Sequence, residues 1–217
     1  MKKKMITNFL LLSIFSLSIM GNEDFCKEQA FKYGNAQGHD KVSHSCYDFD
    51  LSKALPTAID ENDNIKVMAH SNRVYVINKL NNKKDFITGI YTNLENSIAV
   101  TIIKDRNEIA VLQKSGDILI FSSIITGNVA PYRTISVKEL HGSSDIAYKD
   151  SELVVLNNEN KTIFHFNILA NSNGREGHKK LDPIKTNSII DKKYVSIEVI
   201  DGHLHGVSSN DEKEKVQ

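Results

Sequence analysis

The chain has 217 residues, enough for one domain of ordinary size plus a targeting segment. Lys plus Arg number 27 and Asp plus Glu 27, so the formal net charge of +0 gives no electrostatic reason to expect nucleic acid or an anionic membrane as the main partner. Charged residues at 25% and hydrophobic ones at 40% exclude a disordered chain, and 2 Cys exclude a disulfide-dense scaffold or a Cys-rich zinc site.

The first element is an address. Met1–Lys4 carries three lysines, Phe9–Met20 is an uncharged, mostly apolar run, and Gly21 closes it before Glu23 and Asp24. That order reads as a secretory signal peptide over residues 1–21, with a retained N-terminal anchor as the alternative. A helix of twelve residues reaches only about 18 Å, short of a bilayer core of about 30 Å, so no stable membrane span is expected after cleavage. Asn22, Glu23, Asp24 and Phe25 before Cys26 lack the small residues a lipidation site needs. Export to the periplasm or beyond makes Cys26 and Cys46 the natural disulfide pair, worth roughly 3 kcal/mol through the loop it closes. Two unpaired buried thiols are the alternative. A metal site of Cys26, His39, His44 and Cys46 matches no standard zinc spacing.

Residues 22–62 read as a polar, irregular, partly helical cap segment. Short helices are expected over Glu23–Lys32 and, with Asp50 as cap, over the stretch that stops at Pro56. Ile59–Asn64 (IDENDN) reads as a solvated turn or linker.

From residue 63 to 210 the pattern is short strands separated by Asn, Asp, Gly and Ser. Arg73–Asn78 (RVYVIN), Glu108–Gln113 (EIAVLQ), Glu152–Asn157 (ELVVLN) and, more poorly, His203–Ser208 (HLHGVS) recur, each preceded by another apolar stretch. The first three are followed by a third run, at 86–90, 118–121 and 162–166. Anchors 73, 108, 152 and 203 lie 35, 44 and 51 residues apart, bracketing the roughly 40–50 residues of a propeller blade. Apolar runs of several consecutive residues fit strands buried on both faces by stacked neighbours. Val76, Val111 and Val155 are expected at equivalent core positions of equivalent middle strands. Residues 211–217 read as a charged, frayed tail.

Ser143–Phe166 (SSDIAYKDSELVVLNNENKTIFHF) resembles a blade of NHL-like or related bacterial extracellular beta-propeller repeats, with Asp145, Ile146, Ala147, Leu153, Val154, Val155, Asn157, Ile163 and Phe166 at pattern positions. Ile98–Phe121 matches similarly, and Thr126–Ile135 resembles a blade-to-blade connection. The resemblance implies an all-β, propeller-like array of about four to five antiparallel blades. A small ring, a five-unit ring using residues 22–62 and an incomplete propeller needing a partner all fit it.

The chain carries no G-x-S-x-G, H-E-x-x-H, P-loop or G-x-G-x-x-G, so no catalytic, cofactor-binding or metal residue is assigned and no cofactor is expected. His203 and His205 would share a strand face, with His70, His165 or Asp201 as a third metal ligand, but a partly solvated pair is favoured. Gly174–Lys180 (GREGHKK) reads as a solvated loop, and Asp60, Glu61 and Asp63 lack the spacing of a calcium loop. His70 and Asp145 are the polar exceptions on otherwise apolar opening strands. The expected function is that of an exported, non-catalytic binding or scaffold protein of the bacterial envelope, using propeller loops or the channel for an envelope or extracellular protein or a glycan. An exported propeller-type hydrolase or lyase with a channel metal, and a degenerate remnant of a longer propeller, are the alternatives.

Overall fold

The computed structural model describes residues 56–170, 184–190 and 193–216, the segment 184–189 by its backbone alone. The chain divides into two compact units, Met1–Leu55 and Pro56–Gln217, and the architecture below is that of the second. Cys26, Cys46, His39, His44, the two short helices expected before Pro56 and the Gly174–Lys180 loop lie outside the described residues.

The second unit is built of strands, grouped in four antiparallel meanders. Sheet 1 holds β1 (Ala58–Glu61), β2 (Ile65–His70), β3 (Arg73–Asn78) and β4 (Lys84–Thr88). Sheet 2 holds β5 (Ser97–Ile103), β6 (Glu108–Gln113), β7 (Ile118–Ser122) and β8 (Arg133–Ile135). Sheet 3 holds β9 (Ser143–Lys149), β10 (Glu152–Asn157), β11 (Thr162–Asn167) and β12 (Ile184–Ile189). Sheet 4 holds β13 (Ser196–Ile200), β14 (His203–Val207) and β15 (Lys213–Lys215). The opening strands β1, β5, β9 and β13 are neighbours in turn, which places them innermost. The result is an all-β, propeller-like array.

Alternation along each strand sends successive side chains to opposite faces. In β6, Ile109 and Val111 face sheet 1, packing with Val67, Val74, Val76 and Ile87. Ala110 and Leu112 face sheet 3, packing with Ile146, Leu153, Val155 and Phe166. The other face of sheet 3 carries Val154, Leu156 and Ile163 onto Ile197, Leu204 and Tyr194. Each sheet of the interior is thus apolar on both sides, and every residue of EIAVLQ is buried.

Four expectations are corrected here. Ile59–Asn64 is not a linker throughout: residues up to Glu61 belong to β1, paired with β2 in the register Asp60↔Val67. Polar composition concealed a strand, because Asp60 has backbone partners described below. Second, adding β1 shifts RVYVIN from second to third strand of its sheet, so Val76 is not equivalent to Val111 and Val155. Val76 faces the next sheet, whereas Val111 and Val155 face the preceding one; its position in sheet 3 is that of His165, and Ile163 is the counterpart of Val74. Third, Thr126–Ile135 is not a blade-to-blade connection: it bridges back to sheet 1 at Ile87↔Gly127 and then forms β8, the fourth strand of sheet 2. Fourth, Lys213–Lys215 is not frayed tail but β15, paired with β14.

Candidate functional site

The ends of equivalent strands define a rim. The hairpins joining first to second strands and the connections leaving third strands meet there, through one contact repeated in three sheets. The residue after the third strand donates its N–H to the tip of the inner hairpin: Lys79 to Asn64 O at 2.8 Å, Ser123 to Asn107 O at 2.8 Å, Ile168 to Ser151 O at 3.3 Å. The last residue of each third strand then turns the chain with its own side chain. Asn78 Oδ1 accepts from the Leu80 N–H at 2.9 Å, Ser122 Oγ from Ile124 at 3.1 Å, and Asn167 Oδ1 from Leu169 at 2.8 Å. Short polar side chains that bond their own backbone two residues on make such turns.

The turn presents the same chemistry each time. Leu80, Ile124 and Leu169 stand at equivalent positions, 82%, 73% and 43% exposed, and Ile125 beside Ile124 is also exposed. One exposed leucine is unremarkable, but three large aliphatic side chains raised by the same turn on successive sheets form a pattern. The sheet 2 loop is braced against sheet 1: Thr88 donates to Gly127 O at 3.1 Å, Gly127 to Phe86 O at 2.7 Å, and Tyr91 to Asn128 Oδ1 at 2.9 Å. Asn128 packs where a side chain on Gly89 would sit, and Gly89 holds φ +113°, a conformation that favours glycine.

The inner hairpins are polar. Asp63, Lys104, Asp105, Arg106, Asp150 and Asp201 lie on them, and the Tyr148 hydroxyl of sheet 3 donates to Asp105 of sheet 2. Burial, followed by the Asp105 carboxylate, raises the Tyr148 hydroxyl above the ordinary tyrosine range. Beneath the rim, Arg133 is buried with Glu108, which also accepts from Arg106 Nε at 3.2 Å, and Arg133 Nη1 donates to Ile168 O. Burial is the main force pulling the Arg133 guanidinium below its usual range, and Glu108 opposes it.

The polar residues singled out in the sequence take other places. Asp145 is innermost on β9 and spends its carboxylate on backbone: Oδ2 accepts from Ile197 N–H of sheet 4 at 2.8 Å and Oδ1 from Ile146 at 2.9 Å. Asp60 does the same from β1, accepting from Ile102 of sheet 2 at 2.8 Å and from Glu61 at 2.9 Å. The two aspartates are stitches between neighbouring innermost strands. His70 lies on β2, a second strand, with its ring 5.1 Å from Tyr75. Burial, and secondarily the Arg73 charge, lowers its pKa from 6.5. His165 Nδ1 lies 3.0 Å from Glu152, and His203 and His205 sit on β14, the first exposed and the second half-buried. Among the described residues no three His, Cys, Asp or Glu side chains converge as metal ligands, and no helix is long and apolar enough to cross a membrane. Sequence reasoning missed the rim display; its signal is an Asn or Ser ending a third strand, followed two residues on by Leu or Ile.

No family model matches the chain, and no curated protein does. Solved structures do. The chain is similar to the computationally designed Ika4 protein, with TM-score 0.52 at 13% identity over 76% of this chain and 91% of that one. It is similar to the WD40 repeats of RRP9, with TM-score 0.53 at 11% identity over 75% of this chain and 51% of that one. It is also similar to the Pan2 WD40 domain of Neurospora crassa, with TM-score 0.50 at 10% identity over 74% and 46%. The chain thus spans about half the length of these two WD40 chains. At such identities the likeness concerns fold alone, and that fold is of the beta-propeller type.

Proposed function

We propose that the protein is an exported, non-catalytic binding or scaffold protein of the cell envelope, and that its partner docks on the loop rim. The observation that supports this is the repeated display of Leu80, Ile124 and Leu169 by one turn on three successive sheets. A rigid stack holding varied loops is a suitable platform for recognition. Two of its inner-strand carboxylates, Asp60 and Asp145, bond the backbone of the neighbouring sheet, a structural use that supports the non-catalytic reading. The pattern of Ser143–Phe166 supports an NHL-like assignment of the propeller, and the basic, apolar, small-residue order at Met1–Gly21 supports export. In that compartment Cys26 and Cys46 pair.

Two measurements test the reading. N-terminal sequencing of the envelope fraction should find the mature chain beginning near Asn22, with no alkylatable thiol in the native protein; an intact Met1 or two free thiols would count against it. A photo-reactive residue replacing Ile124 should capture a discrete partner in the envelope, and capture should vanish when Leu80 and Leu169 are both changed to Ser. Capture that is indifferent to those changes would remove the rim from the function.

A further inference from the structure

Two connections of sheets 1 and 2 carry an apolar surface of their own. Among the described residues eight large hydrophobic side chains are exposed, and five of them, Ile90, Tyr91, Ile124, Ile125 and Tyr132, belong to residues 89–94 and 123–132. Asn128 joins the two connections. Its Oδ1 accepts from the Tyr91 N–H at 2.9 Å, and its side chain packs against Gly89. Gly127 beside it is bonded to Phe86 and Thr88, at the end of β4 from which residues 89–94 depart, and the Tyr132 N–H donates to Ile120 O at 2.7 Å. Gly89 and Gly127 hold φ of +113° and +96°, so both turns are set by glycine. Neither connection contains a charged residue, although charged residues make up 25% of the chain, and Arg133, which follows Tyr132, is buried with Glu108.

Independently of the rim-docking reading, we infer that two copies of the chain associate through this surface, placed against itself across a two-fold axis. A two-fold contact brings each group near its own counterpart, so like charges would repel there, and these connections carry none. The formal net charge of +0 removes the long-range repulsion between copies as well. What complements an uncharged apolar surface is another of its kind. Among the described residues the remaining exposed hydrophobics, Leu80, Leu169 and Val199, stand on three separate elements. An anionic bilayer is a poorer match, because neither connection offers a Lys or Arg to lipid headgroups. Tyr91 and Tyr132 supply rigid contact area, and the exposed Asn93 and Asn128 supply uncharged hydrogen-bonding groups. The two connections fall short of the about 20–30 residues a side of a standard interface, so the pair should separate on dilution through the micromolar range.

The test is sedimentation of the intact protein over a dilution series. The parent should pass from dimer to monomer, and added salt should not loosen the dimer, because no ion pair holds it. Tyr91→Ser with Tyr132→Ser should weaken association by at least about tenfold, while the urea midpoint of the separated copies stays put. Leu80→Ser with Leu169→Ser, which alters the rim alone, should leave association unchanged. A photo-reactive residue replacing Ile90 should link two copies, with the attachment inside residues 89–94 or 123–132. A monomer at every concentration, a dimer that salt dissolves, a dimer indifferent to the tyrosine pair or a link that maps elsewhere would overturn the inference. So would capture of a different protein at position 90, or binding to phosphatidylcholine vesicles that the tyrosine pair abolishes. Failure of partner capture at position 124 with the dimer intact would remove the rim-docking reading and leave this one standing.

Discussion

Single residues decide how the sheets are joined. Glu108 and Arg133 are both buried, and removing Glu108 would leave the Arg133 charge without a counter-ion, whereas Glu108 also has Arg106. Glu108→Gln should therefore cost about 3–5 kcal/mol in urea unfolding, and Glu108→Leu combined with Arg133→Met should recover most of it. The aspartate stitches make a milder and more local prediction. Asp145→Ala strands the Ile197 N–H and should cost about 1–3 kcal/mol, with faster amide exchange at Ile197 and none at Ile102. Asp60→Ala should show the reverse. His70 adds a pH dependence. Its folded pKa lies below the unfolded value of 6.5, so its stabilisation is present above that value and is lost as pH falls toward and through the folded one. The drop in thermal midpoint between pH 8 and pH 5 should be smaller in His70→Leu than in the parent, because the carboxylates titrate in both.

At the level of elements, legibility followed hydrophobicity. RVYVIN, EIAVLQ and ELVVLN were visible because strands sealed on both faces keep long apolar runs. β1, β8 and β15 were not: AIDE, RTI and KEK lie at sheet edges and take their order from ladder bonds and from Asp60 and Arg133, which no apolar pattern announces. Missing β1 set sheet 1 out of step by one strand, and with it the third-strand ends. Once VIN-KL, FS-SI and FN-IL are aligned on Asn78, Ser122 and Asn167, the rim turn is readable from sequence. The disparity between core and rim is measurable. Val111→Asp or Val155→Asp should cost about 4 kcal/mol or more, since each places an unpaired charge between two sheets. Leu80→Ser, whose side chain is mostly in solvent, should stay within about 0.5 kcal/mol of the parent.

Across the whole unit the packing runs in series: among the described residues one core joins sheets 1 and 2, one sheets 2 and 3, and one sheets 3 and 4. The two terminal faces differ from those interfaces. Where sheet 3 presents the row Ile146–Val155–Phe164 to its neighbour, sheet 1 turns outward the row Glu61–Lys66–Ile77–Lys84, with Lys66 and Glu61 3.8 Å apart, and beside it the row Ile59–Met68–Tyr75–Phe86, in which Tyr75 is buried. Sheet 4 turns outward the row Glu198–His205–Lys215, with Lys213 2.6 Å from Glu198.

A stack sealed twice in its middle and once at its ends should come apart like a book losing its covers. Sheets 1 and 4 can each open by giving up one interface, whereas β6 is released only after two have gone. Amide exchange should therefore be graded along the chain, slowest at Val111 in β6 and Val155 in β10, which two interfaces seal, and faster in β2 and β15 of the end sheets, and a flat profile would show that the four sheets unfold as one cooperative body. A partner docked on the sheet 1 turn at Leu80 would clamp one of the two covers, so its binding should slow exchange at Ala69 and Val74, at the opposite end of β2 and β3.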